Sequence, residues 1–119
     1  MHELGVTFYV VKDVKKVAQE NNVKKIDYVT LEIGEVSGVI HDQLIDCWNW
    51  ARKKETVTES AKLYIETLEA ITYCQDCQGE YRTLDYGKTC PYCHSKHTYL
   101  LKGNEFNIKE IGIYEDSGT

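Results

Sequence analysis

The sequence predicts an α/β fold, a small three-stranded sheet with two helices, interrupted by an inserted zinc-ribbon-like module. Three observations predict it. Apolar residues recur at helical spacing in two segments and alternate at strand spacing in others. Four of the five cysteines form two C-x2-C pairs placed before the last strand. The order strand, helix, strand ahead of them suggests a right-handed crossover with parallel pairing.

Residues 4–21 carry Val10, Val14 and Val17 beside Val11 and Ala18, a spacing of three and four that predicts an amphipathic helix ended by Asn21-Asn22. From Ile26 to Ile33 the pattern alternates, with Val29, Leu31 and Ile33 on one face and Tyr28, Thr30 and Glu32 on the other. A loop with two glycines runs from Gly34 to His41, and Asp42 is the expected N-cap of a second helix. There Leu44, Cys47, Trp48 and Ala51 share a face, Cys47 is expected in the core, and the helix runs out near Lys54. A strand follows from Ala61 to about Ile71, and Phe106, Ile108, Ile111 and Ile113 mark a last one. Alternation slips between Ile108 and Ile111, and again from Leu63 and Ile65 to Leu68, which suggests β-bulges. If the last strand returns to the first sheet, residues 1–72 and 103–119 form one α/β domain and residues 73–102 an insertion.

Composition narrows the function classes. The formal net charge is −5, and one Zn(II) held by four thiolates makes it more negative still. Sequence-independent nucleic-acid binding rests on neutralising phosphates, so this balance argues against it. Lys12, Lys15, Lys16, Lys24 and Lys25 read as a solvated helix face rather than a binding stripe. No apolar run approaches the roughly 20 residues that span a bilayer. The Met1-His2-Glu3-Leu4 start lacks the basic and apolar regions of a signal peptide, so a cytoplasmic protein is expected. In a reducing compartment clustered thiols read as metal ligands before disulfides.

Cys74-Gln-Asp-Cys77 and Cys90-Pro-Tyr-Cys93 are separated by residues 78–89. Two such turns at this distance can converge on one tetrahedral thiolate site, and soft thiolates favour zinc, with rubredoxin-like iron chemically compatible. The intervening Tyr81 to Lys88 is expected to form a connecting hairpin. Redox use would call for a single pair on a thioredoxin-like scaffold, and a zinc hydrolase would need an open metal position. Four cysteines leave none, and no Gly-rich phosphate loop or Ser-His-Asp set is apparent. His94 and His97 follow the second pair; either could replace a thiolate, but they read as exposed residues beside a filled site.

His2 suggests a second metal site. A histidine in this position is too large for ready removal of Met1. Its imidazole, its own amide nitrogen and that of Glu3 can close adjacent chelate rings, and Glu3 adds a carboxylate. Deprotonated amides with imidazole suit square-planar Ni(II) or Cu(II) rather than zinc.

With these motifs in place the sequence resembles the HypA/HybF family, the nickel-insertion factors of nickel–iron hydrogenase maturation. The matching blocks are Met1-His2-Glu3-Leu4, Ile33-Gly34-Glu35-Val36-Ser37-Gly38-Val39, the two cysteine pairs, and Gly103-Asn104-Glu105-Phe106-Asn107-Ile108. The resemblance implies an α/β nickel-binding domain with three strands and two helices, and an inserted zinc domain. It makes His2 the essential nickel ligand, supported by Glu3, and Cys74, Cys77, Cys90 and Cys93 the ligands of a structural Zn(II). It implies no chemical step: Ni(II) is a transferred cargo. The implied partners are a HypB-type nucleotide-hydrolysing nickel chaperone and the hydrogenase large-subunit precursor, with urease a further recipient in some members. A homodimer is compatible. Where members often carry Pro-Glu after the Ser-Gly-Val loop, this chain has His41-Asp42, which could reach the nickel or serve as loop and helix cap. A zinc-ribbon interaction or nucleic-acid-binding protein is the rival reading.

Overall fold

The structure is a computed structural model and describes residues 3–113. Helix α1 spans Glu3–Glu20, strand β1 Tyr28–Gly34 and helix α2 His41–Ala51. Two short 3-10 turns, Arg52–Lys54 and Thr56–Thr58, lead to β2, Lys62–Leu68. Then come β3 (Ile71–Cys74), β4 (Glu80–Arg82), the helical turn α3 (Thr83–Tyr86), β5 (Thr98–Lys102) and β6 (Phe106–Gly112). The strands form two three-stranded sheets, ordered β2-β1-β6 and β4-β3-β5. Among the described residues no helix is long and apolar enough to cross a membrane.

Contacts divide the chain into two compact units. The first holds the described residues up to Leu31, Val39–Glu66, and those from Asn107 onward. Val10, Val11, Val14 and Ala18 of α1 and Leu44, Trp48 and Ala51 of α2 are buried, as are Val29 and Leu31 of β1. Val17, expected on the same stripe of α1, is instead exposed, because Thr7 and Val11 centre the buried face one residue away. The helix ends as a Schellman motif. Asn22 takes a left-handed φ of 56°, and the N–H of Val23 reaches back to the Ala18 carbonyl at 2.8 Å.

Helix α2 corrects the expected cap. Ile40, with extended dihedrals, holds the N-cap position without a side-chain bond, and Asp42 lies inside the first turn. There its carboxylate complements the helix dipole instead of closing the end. Cys47 is half-buried rather than a core residue. Trp48 is buried with its indole N–H donated to the Ala61 carbonyl at 2.9 Å, so no polar group is stranded. In this unit Lys62 N–H bonds Asp27 C=O, and Asp27 N–H bonds Gly112 C=O.

The second unit holds Glu32–Gly38 and Thr67–Phe106, more than residues 73–102. The reason lies in the loop after β1. Its backbone bonds tie Gly34 to Glu105, Glu35 to Leu68 and Val36 to Gly103, at 2.8–2.9 Å. Gly34 is obligatory there, since a Cβ would lie 1.9 Å from the Gly103 carbonyl oxygen. The Glu35 carboxylate accepts the Ala70 N–H at 2.8 Å, and that of Glu105 accepts the Gly103 N–H at 2.7 Å. The single strand expected from Ala61 to Ile71 is therefore two strands of different sheets, interrupted at Glu69-Ala70 where the backbone donor turns to a side chain.

Strand β3 pairs antiparallel with both β4 and β5, with a register shift between Ile71 and Thr72 against β5. The burial of β2 and β6 shows the slip in alternation read from the sequence, from Ile65 to Leu68 and from Ile108 to Ile111.

Candidate metal centre

Each cysteine pair closes a knuckle by the same backbone device. The Cys74 N–H donates to the Gly79 carbonyl and the Gln78 N–H returns to Cys74 C=O, at 2.9 and 2.8 Å. In the second knuckle the Cys90 N–H donates to Ser95 C=O and the His94 N–H to Cys90 C=O, both at 2.9 Å. The turning residue is left-handed in each, Gln78 and His94 both at φ 63°. That conformation is strained for a side-chain-bearing residue, and two return bonds per turn hold it.

The knuckles bring one ligand atom from each of Cys74, Cys77, Cys90 and Cys93 within 4.8 Å of one another. Cys74 and Cys93 sulfurs are 3.6 Å apart, as are those of Cys77 and Cys90. Four thiolates at this range repel strongly. Burial opposes ionisation of Cys90, but the N–H groups of Cys93 and Tyr92 and the neighbouring thiols outweigh it and bring the pKa down to about 7. At Cys93 the Ser95 N–H lowers the pKa, yet lost hydration and the other three sulfurs push it up to about 12. One thiol ionises at the expense of the next, and a soft divalent cation among them removes the conflict. The donor set fits a tetrahedral tetrathiolate ion such as Zn(II), with no position left for substrate or water, which makes the centre structural.

Around the sulfurs lie residues that spacing alone did not single out. The Asp76 carboxylate accepts from the Ser95 hydroxyl and meets His97 Nδ1 at 3.1 Å, linking the two knuckles. The Ser95 hydroxyl first, and His97 after it, hold the Asp76 pKa below its ordinary value. The Tyr92 ring covers Gly79, where a Cβ would come within 2.7 Å of it, and the Tyr92 hydroxyl donates to Glu80 C=O at 3.0 Å. A glycine just after the first pair was the available signal. His94 and His97 are exposed, as expected, but they are not idle: one closes a knuckle and the other meets Asp76. The connection expected as a hairpin is instead β4 followed by the helical turn α3, ended by Gly87 at φ 63°. Tyr81, buried beside Cys74 and Cys90, donates its hydroxyl to Gly87 C=O and fixes that turn.

The second predicted site falls on His2 and Glu3. His2 lies outside the described residues. Glu3 opens α1, is 8% exposed, and its Oε2 has no hydrogen-bond partner among the described residues. A buried carboxylate oxygen without a partner is costly. Thr7 satisfies only the Glu3 carbonyl, at 2.6 Å. His41 and Asp42 occupy the first turn of α2.

Comparison with known proteins decides the family. The model described as "Hydrogenase/urease nickel incorporation, metallochaperone, hypA" matches residues 1–113. The chain belongs to the HypA family. The family is thus one of metallochaperones rather than catalysts. The hydrogenase maturation factor HypA of Actinobacillus succinogenes is 31% identical over 113 residues, covering 95% of this chain and 99% of that one. That of Geotalea uraniireducens is 33% identical over the same shares. The solution structure of the nickel metallochaperone HypA from Helicobacter pylori superposes with a TM-score of 0.71 at 27% identity, covering 98% of this chain and 100% of that one. Two HypA-like blocks, residues 33–39 and 103–108, meet in the backbone bonds between Gly34, Val36, Gly103 and Glu105, so their part is architectural.

Proposed function

We propose that this HypA-family chain binds Ni(II) at its amino terminus through His2, with Glu3 supporting, and delivers it to a nickel–iron hydrogenase during maturation, with urease a further recipient. Residues 1–72 with 103–119 serve as the nickel-binding domain. Residues 73–102 form the zinc domain, in which Cys74, Cys77, Cys90 and Cys93 hold a structural Zn(II). The observation that carries the nickel assignment is the buried Oε2 of Glu3, without a hydrogen-bond partner among the described residues, one position after a histidine that can chelate through imidazole and amide nitrogens. Square-planar nitrogen ligation selects Ni(II) against zinc, while thiolates select zinc. His41 and Asp42 are read as loop and helix start, with His41 the residue to test next as a further ligand.

The partners this reading requires are a HypB-type nucleotide-hydrolysing nickel chaperone and the hydrogenase large-subunit precursor, met in the cytoplasm. A homodimer is compatible with it, and neither nucleic acid nor membrane is part of it. Calorimetric nickel titration of three proteins tests the site: the untagged chain, one with residues fused ahead of Met1, and one fused after Thr119. The amino-terminal fusion should weaken nickel binding and the carboxy-terminal fusion should not. Equal affinity in all three would remove the free terminus from the site. Nickel affinity should also fall steeply from pH 7.5 to 6, because binding needs a neutral imidazole, whose unperturbed pKa is about 6.5, and displaces amide protons. Zinc content should stay constant over that range.

A further inference from the structure

The four sulfurs are not equivalent. Cys77 and Cys93, the second members of their knuckles, are exposed, whereas Cys74 and Cys90 are buried. The contacts at 3.6 Å join the exposed sulfur of one knuckle to the buried sulfur of the other, Cys77 to Cys90 and Cys93 to Cys74. An oxidant arriving from solvent therefore meets a second-position cysteine, and a thiol placed to resolve it belongs to the opposite knuckle.

We infer that the four-cysteine centre is also a site of reversible oxidation by hydroperoxides, which converts it to two cross-knuckle disulfides, Cys77–Cys90 and Cys74–Cys93, and expels its metal ion. The inference rests on the zinc reading above. In the first step the Cys77 thiolate attacks the peroxide, an S–O bond forms, the O–O bond breaks, and the leaving oxygen takes a proton. The product is a sulfenic acid. The Cys90 sulfur then attacks that of Cys77, the S–S bond forms, the S–O bond breaks and water leaves with a second proton. Two thiolates have given two electrons to one peroxide, which becomes an alcohol, or water, plus water. A second peroxide converts Cys93 and Cys74 in the same way, and the ion is freed without its ligands.

The pairing has a structural consequence. Cross-knuckle bonds join the turn at residues 74–77 to that at 90–93, as the metal does, so the oxidised segment keeps its closure. Disulfides within each knuckle would close two short turns and leave them unlinked, with little loss of unfolded-chain entropy.

The test uses the full chain carrying Cys47→Ser, which removes the one thiol outside the centre. After zinc analysis, the protein is treated with hydrogen peroxide beside a zinc-sensitive dye, digested and mapped by mass spectrometry. Trypsin cuts after Lys62, Arg82, Lys88 and Lys96, which places Cys74 and Cys77 on one peptide and Cys90 and Cys93 on another. The expected result is release of one zinc per two disulfides and linkage of those peptides. Cleavage at Asp76 and Tyr92 should then assign Cys77–Cys90 and Cys74–Cys93, and dithiothreitol with zinc should restore the centre. Unlinked peptides with internal disulfides, the pairing Cys74–Cys90 with Cys77–Cys93, or oxidation to sulfinic acid without disulfides would each overturn the inference. Protein that carries no zinc at the outset would refute the zinc reading separately, and the pairing map would still decide the disulfide assignment.

Discussion

The two compact units are stabilised by different means. In the first, aliphatic and aromatic side chains from α1, α2 and β1 are fully buried, among them Val14, Leu31, Leu44 and Trp48. Around the cysteines the buried cluster is Cys74, Tyr81 and Cys90, and two of its three members are metal ligands by type. Burial of a large apolar side chain stabilises by about 1.5–3 kcal/mol, so several suffice for a small core. A structural zinc supplies about 10–16 kcal/mol at one point. The first unit spreads its stability over many residues. The second buries Ile33 and Ala70 as well, but around its cysteines it relies on the four sulfurs.

This contrast is broken most severely at a ligand. Cys90→Ala, or chelation of the ion, should unfold residues 73–102 and leave the first unit's resonances in place, as read by NMR. A well-ordered cysteine segment in metal-free, fully reduced protein would contradict the account. Trp48→Ala should do the reverse. It opens a cavity and strands the Ala61 carbonyl, destabilising the first unit by about 3–5 kcal/mol in denaturant titration while zinc content stays unchanged. Gly34→Ala should cost about 1–3 kcal/mol, because the new methyl meets the Gly103 backbone and not a flexible side chain. Its effect should appear as faster hydrogen exchange at Val36 and Ala70.

Asp76→Asn should have the smallest effect. The carboxylate that joins the knuckles has its pKa lowered, chiefly by the Ser95 hydroxyl and then by His97. A depressed folded-state pKa means its contribution is present above the ordinary carboxylate range near about 4 and is lost as pH falls through the lower folded value. At neutral pH the variant should release zinc to a chelator slightly faster than the parent. A rate matching that of Cys90→Ala would mean that the network, not the thiolates, holds the ion.

Periodicity and spacing made much of this legible. The alternation of Val29, Leu31 and Ile33 and the two C-x2-C pairs point directly at the central strand and the sulfur cluster, because a strict repeat leaves few alternatives. The break at Glu69-Ala70 did not show, since Ala61 to Ile71 holds neither Gly nor Pro and the interruption depends on Glu35, distant in sequence. The cap of α2 was misplaced at Asp42 because Ile40 caps with its backbone alone, which no side-chain signal announces. The Asp76, Ser95 and His97 network needs both knuckles folded before its members meet, so only Gly79 hinted at the crowding there. Glu3 was legible as a candidate by its place beside His2, but its burial, with Oε2 unpartnered among the described residues, is a property of the folded helix start.

Central to the proposed function is the separation of two metals by two donor sets, nickel at the amino terminus and zinc at the thiolates. The most direct measurement is nickel titration of His2→Ala beside the parent, with zinc quantified in the same samples. The account predicts that the variant loses specific nickel binding and keeps about one zinc per chain, the occupancy of a single closed tetrathiolate site. Unchanged nickel affinity in His2→Ala would contradict it.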